Sequence, residues 1–190
     1  MSIQDIINRP RHKVFVSYHH SNDQWYRDKF ESLFANYYDV MVSKSVQIGD
    51  IDSNLATETI RQKIRDEYLK DSTVTVVLIG TDTWSRKHVD WEIGSSIHDT
   101  NNNPRSGLLG IILPGHPSFG SQTSKPSIIP PRLYYNVKRK YADLYDWNTD
   151  PIIVQGWIDN AFNKKNDRNL NPDNSLLYFK NNLSGTGWSE

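Results

Sequence analysis

Apolar residues along the chain fall into two kinds of pattern. Three runs are short and continuous: Val14-Phe15-Val16, Val74–Ile79 (VTVVLI) and residues 108–113 (LLGIIL). Runs of this length are expected of strands covered on both faces, the condition of a parallel sheet. Val40-Met41-Val42 is a weaker fourth candidate. Between these runs the spacing becomes helical. Trp25, Phe30, Leu33 and Phe34 share a face after Asn22 or Asp23, either of which suits a helix N-cap. Leu55, Ile60, Ile64 and Tyr68 repeat similarly after Asp52-Ser53, and Val89, Ile93, Ser96 and Ile97 after Ser85. This alternation predicts an α/β fold with a central parallel β-sheet flanked by helices.

Residues 114–131 break the pattern. They are rich in proline and serine without any period, which predicts one long surface loop. Helical spacing returns with Ile152, Ile153, Trp157, Ile158 and Phe162, in a last helix beginning near Pro151. Beyond Asn163 the chain is rich in Asn, Lys and Asp and reads as a peripheral extension over residues 164–190.

Composition narrows the function classes. Lys and Arg number 22 and Asp and Glu 22, so the net charge is zero and exerts no long-range pull on nucleic acid or an anionic membrane. Cysteine is absent, which excludes disulfides, thiolate nucleophiles and cysteine-ligated metals. No apolar run approaches the roughly 20 residues of a membrane span, and the N-terminus has no signal-peptide core. The expectation is a soluble, cytoplasmic protein of one domain.

Several motifs fail. Asp50, Asp52 and Asn54 resemble the start of a calcium loop, but Leu55 replaces its glycine and Arg61 its closing glutamate. His19 and His20 are adjacent, a poor arrangement for one ion, so no metal is expected. The chain has no Gly-x-Ser-x-Gly, P-loop or Gly-x-Gly-x-x-Gly segment.

Ligands of open parallel sheets bind at the carboxyl ends of the strands. Ser17, Tyr18, His19 and His20 follow the first run; Gly80, Thr81, Asp82, Thr83, Trp84 and Ser85 follow the second and lead into a helix carrying His88 and Glu92. At about 100° per residue, Ser85 lies roughly 20° and His88 roughly 40° from Glu92 around that helix. Glu92 therefore falls at the border of the core, beside the strand-end crevice. Two readings remain open on pattern alone: a solvated helix glutamate paired with Arg86 or His88, and a poorly solvated functional carboxylate.

Five segments add a resemblance. KVFVSYHH (residues 13–20), residues 71–97 (DSTVTVVLIGTDTWSRKHVDWEIGSSI), the following GLLGIIL and the later LYDW and VQGWIDNAF together resemble the TIR-like proteins of the DUF1863 class, whose best-known member serves in Thoeris anti-phage defence. The resemblance covers roughly residues 12–163 and implies a flavodoxin-like TIR domain there. It also implies an enzyme that cleaves NAD+ as substrate, with no further cofactor. TIR enzymes carry a Trp-x-x-x-Glu pattern on the helix after the central sheet. Residues 88–92 occupy it here, so Glu92 inherits the catalytic role while His88 stands at the tryptophan position. By the same correspondence Phe15, Ser17, Tyr18 and His19 line the nicotinamide-ribose side, and residues 43–54 form a flexible loop beside the substrate. Asp82, Trp84, Ser85 and His88 complete the candidate substrate-binding set. The implied partners are an effector protein activated by the nucleotide product and further copies of the chain that complete the site.

The chemistry suits these residues. Breaking the ribose–nicotinamide bond develops oxocarbenium character that an adjacent carboxylate stabilises, and nicotinamide leaves neutral without a strong acid. Capture within the molecule gives a cyclic ADP-ribose isomer; capture by water gives ADP-ribose. The alternative function is a non-catalytic TIR module acting through protein–protein assembly. A receiver-like phosphoacceptor at Asp82 is disfavoured, because SYHHSND after the first run lacks the acidic cluster that holds magnesium. Two structural expectations follow: Glu92 lies within roughly 10–12 Å, a helix diameter, of Ser17, and residues 43–54 are mobile and gate access.

Overall fold

The two longest apolar runs become the centre of the sheet. In the computed structural model, which describes residues 12–35, 40–42, 56–100 and 103–189, β3 (Val74–Ile79) and β4 (Gly107–Ile112) are buried at every position. They pair with β1 (His12–Ser17), β2 (Val40–Val42) and β5 (Ala142–Asp146) in one parallel sheet of order β2-β1-β3-β4-β5. That order is flavodoxin-like, and its direction reverses between β1 and β3.

Both faces are covered. α1 (His20–Leu33) and α5 (Pro151–Asn166) pack Phe30, Val154 and Ile158 on Val14, Val16, Val76 and Leu109. On the other face lie α2 (Thr57–Lys63), α3 (Lys87–Ser96) and α4 (Pro131–Lys138), where Val89, Ile93 and Leu133 meet Val77, Ile79 and Leu108. α2 runs into a π-helical turn over Ile64–Tyr68, and Ile60 and Ile64 pack on Phe15 and Trp91. The two-residue period of β1 thus decides the site. Val14 and Val16 face α1 and α5, while Phe15 and Ser17 face α3.

Some boundaries differ from the sequence reading. α1 starts at His20, ahead of Asn22 and Asp23, because the His19 carbonyl accepts from both of their backbone N–H groups and Asp23 turns inward. α3 starts at Lys87, because residues Thr83–Ser85 close a separate 3₁₀ turn first. The cap proposed at Asp52-Ser53 and the gating loop over residues 43–54 lie outside the described residues.

The expected long loop over 114–131 is organised over much of its length. Buried His116 accepts from the Ser118 N–H and donates to the Ile128 carbonyl at 3.2 Å, and Ile128 and Ile129 are buried behind a 3₁₀ turn over Pro126–Ile128. α4 and β5, which follow, are elements the apolar pattern did not indicate. α5 starts at Pro151, where the Asp150 side chain caps the Ile152 N–H at 2.9 Å, and it continues to Asn166, past residue 163. The remaining chain runs as irregular backbone against α3 and α4.

Candidate active site

Ser17 ends β1 on the α3 side of the sheet, next to the point where strand order reverses. Glu92, in the second turn of α3, points at it. The Ser17 hydroxyl donates to Glu92 Oε2 at 2.5 Å, and both side chains are buried, Glu92 at 1% exposure. The border position inferred from the helical wheel is therefore a fully enclosed one. Glu92 Oε1 has no hydrogen-bond partner among the described residues. Burial drives the carboxyl up to about 8, against the lowering effect of the Ser17 hydroxyl. In the free protein at neutral pH the group is mostly a neutral acid. A cation placed beside it favours the carboxylate.

A row of aromatic rings borders this acid. His88, one turn before Glu92, packs tilted against His20 at 5.2 Å, and His20 packs tilted against Tyr18 at 4.5 Å. Burial, with His20 and His19 close by, lowers His88 to about 4, so it is neutral at physiological pH. Its Nε2 is buried without a partner among the described residues. His19 is buried at the start of α1 and lowered by desolvation, then by Arg86. Phe15 lies behind Ser17 in the core with Trp91. The Tyr18 ring belongs to the core of the opposite face, where its hydroxyl donates to Gln24 at 2.6 Å and burial raises its pKa.

The structure thus brings Ser17 and Glu92 into contact and lines Tyr18, His20 and His88 in one row. The residues after β3 divide differently. Asp82, half-buried, accepts from Asn22 at the start of α1. The Ser85 hydroxyl donates to the Asp82 carbonyl within the 3₁₀ turn, and the Ser85 carbonyl receives the Leu183 N–H. Trp84 lines a cavity of about 580 Å³ together with Tyr135, Phe179 and Trp188.

Asp23, a helix-cap candidate and the one acid within SYHHSND, is buried. It receives the Thr83 hydroxyl at 3.2 Å beneath Gly80, and burial raises it to about 6. A Cβ at Gly80 would collide with that carboxyl, so the glycine after β3 was the available signal. Among the described residues no group of three or more His, Asp or Glu side chains is arranged to hold a metal. No helix among them is long and apolar enough to cross a membrane.

A flavodoxin-like sheet with a buried acid facing the end of β1 defines the class of molecule. The family model described as "Thoeris protein ThsB, TIR-like domain" matches residues 15–118, more than half of the chain, which contain Ser17, His88 and Glu92. The chain belongs to this family of TIR-like proteins. No curated protein matches it. Among solved structures, the TIR domains of the activated Roq1 resistosome directly recognizing the pathogen effector XopQ are similar at 13% identity and a TM-score of 0.35, with 82% of this chain and 84% of that chain covered.

Proposed function

We propose that this protein cleaves NAD+ between ribose and nicotinamide and converts the remainder into an ADP-ribose-derived, cyclic nucleotide that serves as a signal in anti-phage defence. The observation that carries this reading is Glu92: a wholly buried acid held through one oxygen by Ser17, its other oxygen unpartnered, at the strand-end crevice. When the glycosidic bond breaks, its electron pair leaves with the nicotinamide nitrogen and positive charge develops at the ribose carbon. A carboxylate in a site shielded from water stabilises that charge far better than one in solvent. The cation of NAD+ itself favours ionisation of Glu92 on binding. Ser17 fixes the direction of the carboxyl, and the neutral His88 Nε2 offers an acceptor for a substrate hydroxyl. His19 stands at the wall, Phe15 backs Ser17 from the core, and Asp82 lies at the turn after β3. An acceptor on the same molecule then captures the sugar. The product activates a separate effector protein, and further copies of the chain complete the site. The protein acts in the cytoplasm.

The test is to incubate the protein with NAD+, with and without lysate of phage-infected cells, and to resolve products by mass spectrometry. Stoichiometric nicotinamide and a nucleotide of ADP-ribose mass less one water are expected. Unchanged NAD+ under every condition would leave the non-catalytic assembly module as the better reading.

A further inference from the structure

The family match ends at residue 118, yet the most enclosed charged side chain outside the crevice lies beyond it. Arg132, at the start of α4, has 0% exposure. Its Nε and Nη2 grip Asp90 of α3 at 2.8 and 3.3 Å. Its remaining donors go to the C-terminal chain: Nη1 to Asn174 Oδ1 at 2.8 Å, and Nη2 also to the Leu176 and Leu177 carbonyls. The Tyr178 ring lies 4.1 Å from this guanidinium and 3.7 Å from that of Arg61. Every nitrogen of this guanidinium is engaged, and its bonds join α3 to the C-terminal segment.

That segment runs antiparallel along α3. Asn174 Nδ2 donates to the Gly94 carbonyl near the end of the helix. In the middle, the Phe179 N–H donates to Asp90 and the Phe179 carbonyl receives the Trp91 indole N–H. At the start, Asn182 Oδ1 accepts the Lys87 N–H at 3.0 Å. The residue at the N-cap position, Arg86, provides no side-chain cap, so the cap comes from 95 residues later in the chain. Gly94 lets the Tyr178 ring approach, since a Cβ there would overlap it.

Lys87, Asp90, Trp91 and Gly94 form one stripe of α3, and Glu92 lies about 100–160° around the axis from them. The helix is held from both sides, by the sheet on the Glu92 side and by this strap on the other. With a carboxyl roughly 5–6 Å from the axis, a 20° rotation of α3 moves it about 2 Å, enough to break the contact with Ser17. We propose that residues 173–183 are a brace that sets the rotation of α3 and so positions Glu92 against Ser17, with Arg132 as the positioning residue that ties brace to helix. The consequence for turnover rests on the proposed NAD+ cleavage; the consequence for Glu92 does not.

The experiment compares the full-length protein with Asn174→Ala, Asn182→Ala and Arg132→Lys. A control, Ile158→Val, weakens the core under α5 on the opposite face of the sheet. Two quantities are read: kcat and KM for nicotinamide release, and the protonation midpoint of Glu92 followed by NMR of the labelled side-chain carboxyl, one of five glutamates in the chain. The brace variants are expected to lower kcat at least tenfold with KM changed less than about threefold, because a misplacement of about 1 Å costs up to a hundredfold. Their Glu92 midpoint is expected to fall by about one pH unit or more as the carboxyl gains water. Ile158→Val is expected to lower Tm and leave both readings alone. Brace variants that lose Tm but keep the wild-type midpoint overturn the proposal and make the strap merely structural. Should Arg132→Lys fail to fold, the two asparagine variants decide. Should wild type release no nicotinamide, the proposed activity fails, and the midpoint still decides whether the brace positions Glu92.

Discussion

Asp90 and Glu92 stand two residues apart on α3, at 3% and 1% exposure, in opposite electrostatic circumstances. Asp90 receives two donors of Arg132 and the Phe179 N–H. Glu92 receives one serine hydroxyl, and its second oxygen has no partner among the described residues. Burying a charge is tolerable when it is paired, so Asp90 needs no explanation beyond holding α3, α4 and the strap together. Glu92 is held in its charged form by nothing comparable, and its pKa is raised accordingly to about 8. Under the proposed NAD+ cleavage the missing positive charge arrives with the substrate. Burial alone does not separate the two roles; the tally of partners does.

The contrast can be broken most severely at the paired acid. Arg132→Met leaves Asp90 buried and unpaired and is expected to cost about 3–5 kcal/mol, read as a large fall in Tm or in the denaturant midpoint. A loss below about 1 kcal/mol would show that Asp90 does not depend on this arginine.

The lone acid predicts a pH dependence of the opposite kind. The folded pKa of Glu92 is raised above its ordinary value of 4.5, so its favourable contribution is complete below about pH 4.5 and fades as pH rises toward 8. Glu92→Gln does not titrate. Its stability relative to wild type should therefore improve by roughly 3–4 kcal/mol between about pH 5 and pH 8, superimposed on whatever constant offset the amide introduces. Denaturant melts of both proteins across that range check it, and a constant difference would contradict the isolation of Glu92.

Smaller effects sharpen the picture. Gly94→Ala forces the Tyr178 ring away from α3 and should cost about 1–3 kcal/mol, with the strap amides exchanging faster than the central strand. Asp150→Ala removes only the cap of α5, on the far side of the sheet, and should cost about 1 kcal/mol without changing exchange in the strap.

What could be read from the sequence follows from how each element is buried. β3 and β4 are covered on both faces and appear as unbroken apolar runs. β5 (ADLYD) is an edge strand with intermediate exposure along most of its length, so its alternation is weak. α4 begins at the second of two prolines that read as the end of a loop. Helical spacing was enough to place Glu92 beside the crevice, but its complete enclosure depends on contacts from β1. In the sequence the residues of the turn after β3 read as one set because they are consecutive. The 3₁₀ turn instead places Asp82 beside α1 and Trp84 beside the C-terminal chain. The strap was the least legible part. Its Asn- and Asp-rich sequence looks solvated, whereas Asn174 and Asn182 are spent on the backbone of α3.

The central claim is that Glu92, as a carboxylate, faces the developing cation of NAD+. The most direct measurement is kcat/KM for nicotinamide release against pH, under activating conditions, for wild type and Glu92→Gln. Wild type should rise with pH, reach half of its plateau near pH 8 and level off above it, as free Glu92 ionises. Glu92→Gln should be flat and a few hundredfold slower, the loss expected if the charge contributes about 3–4 kcal/mol to the transition state. Turnover of Glu92→Gln equal to that of wild type across the profile would contradict the account.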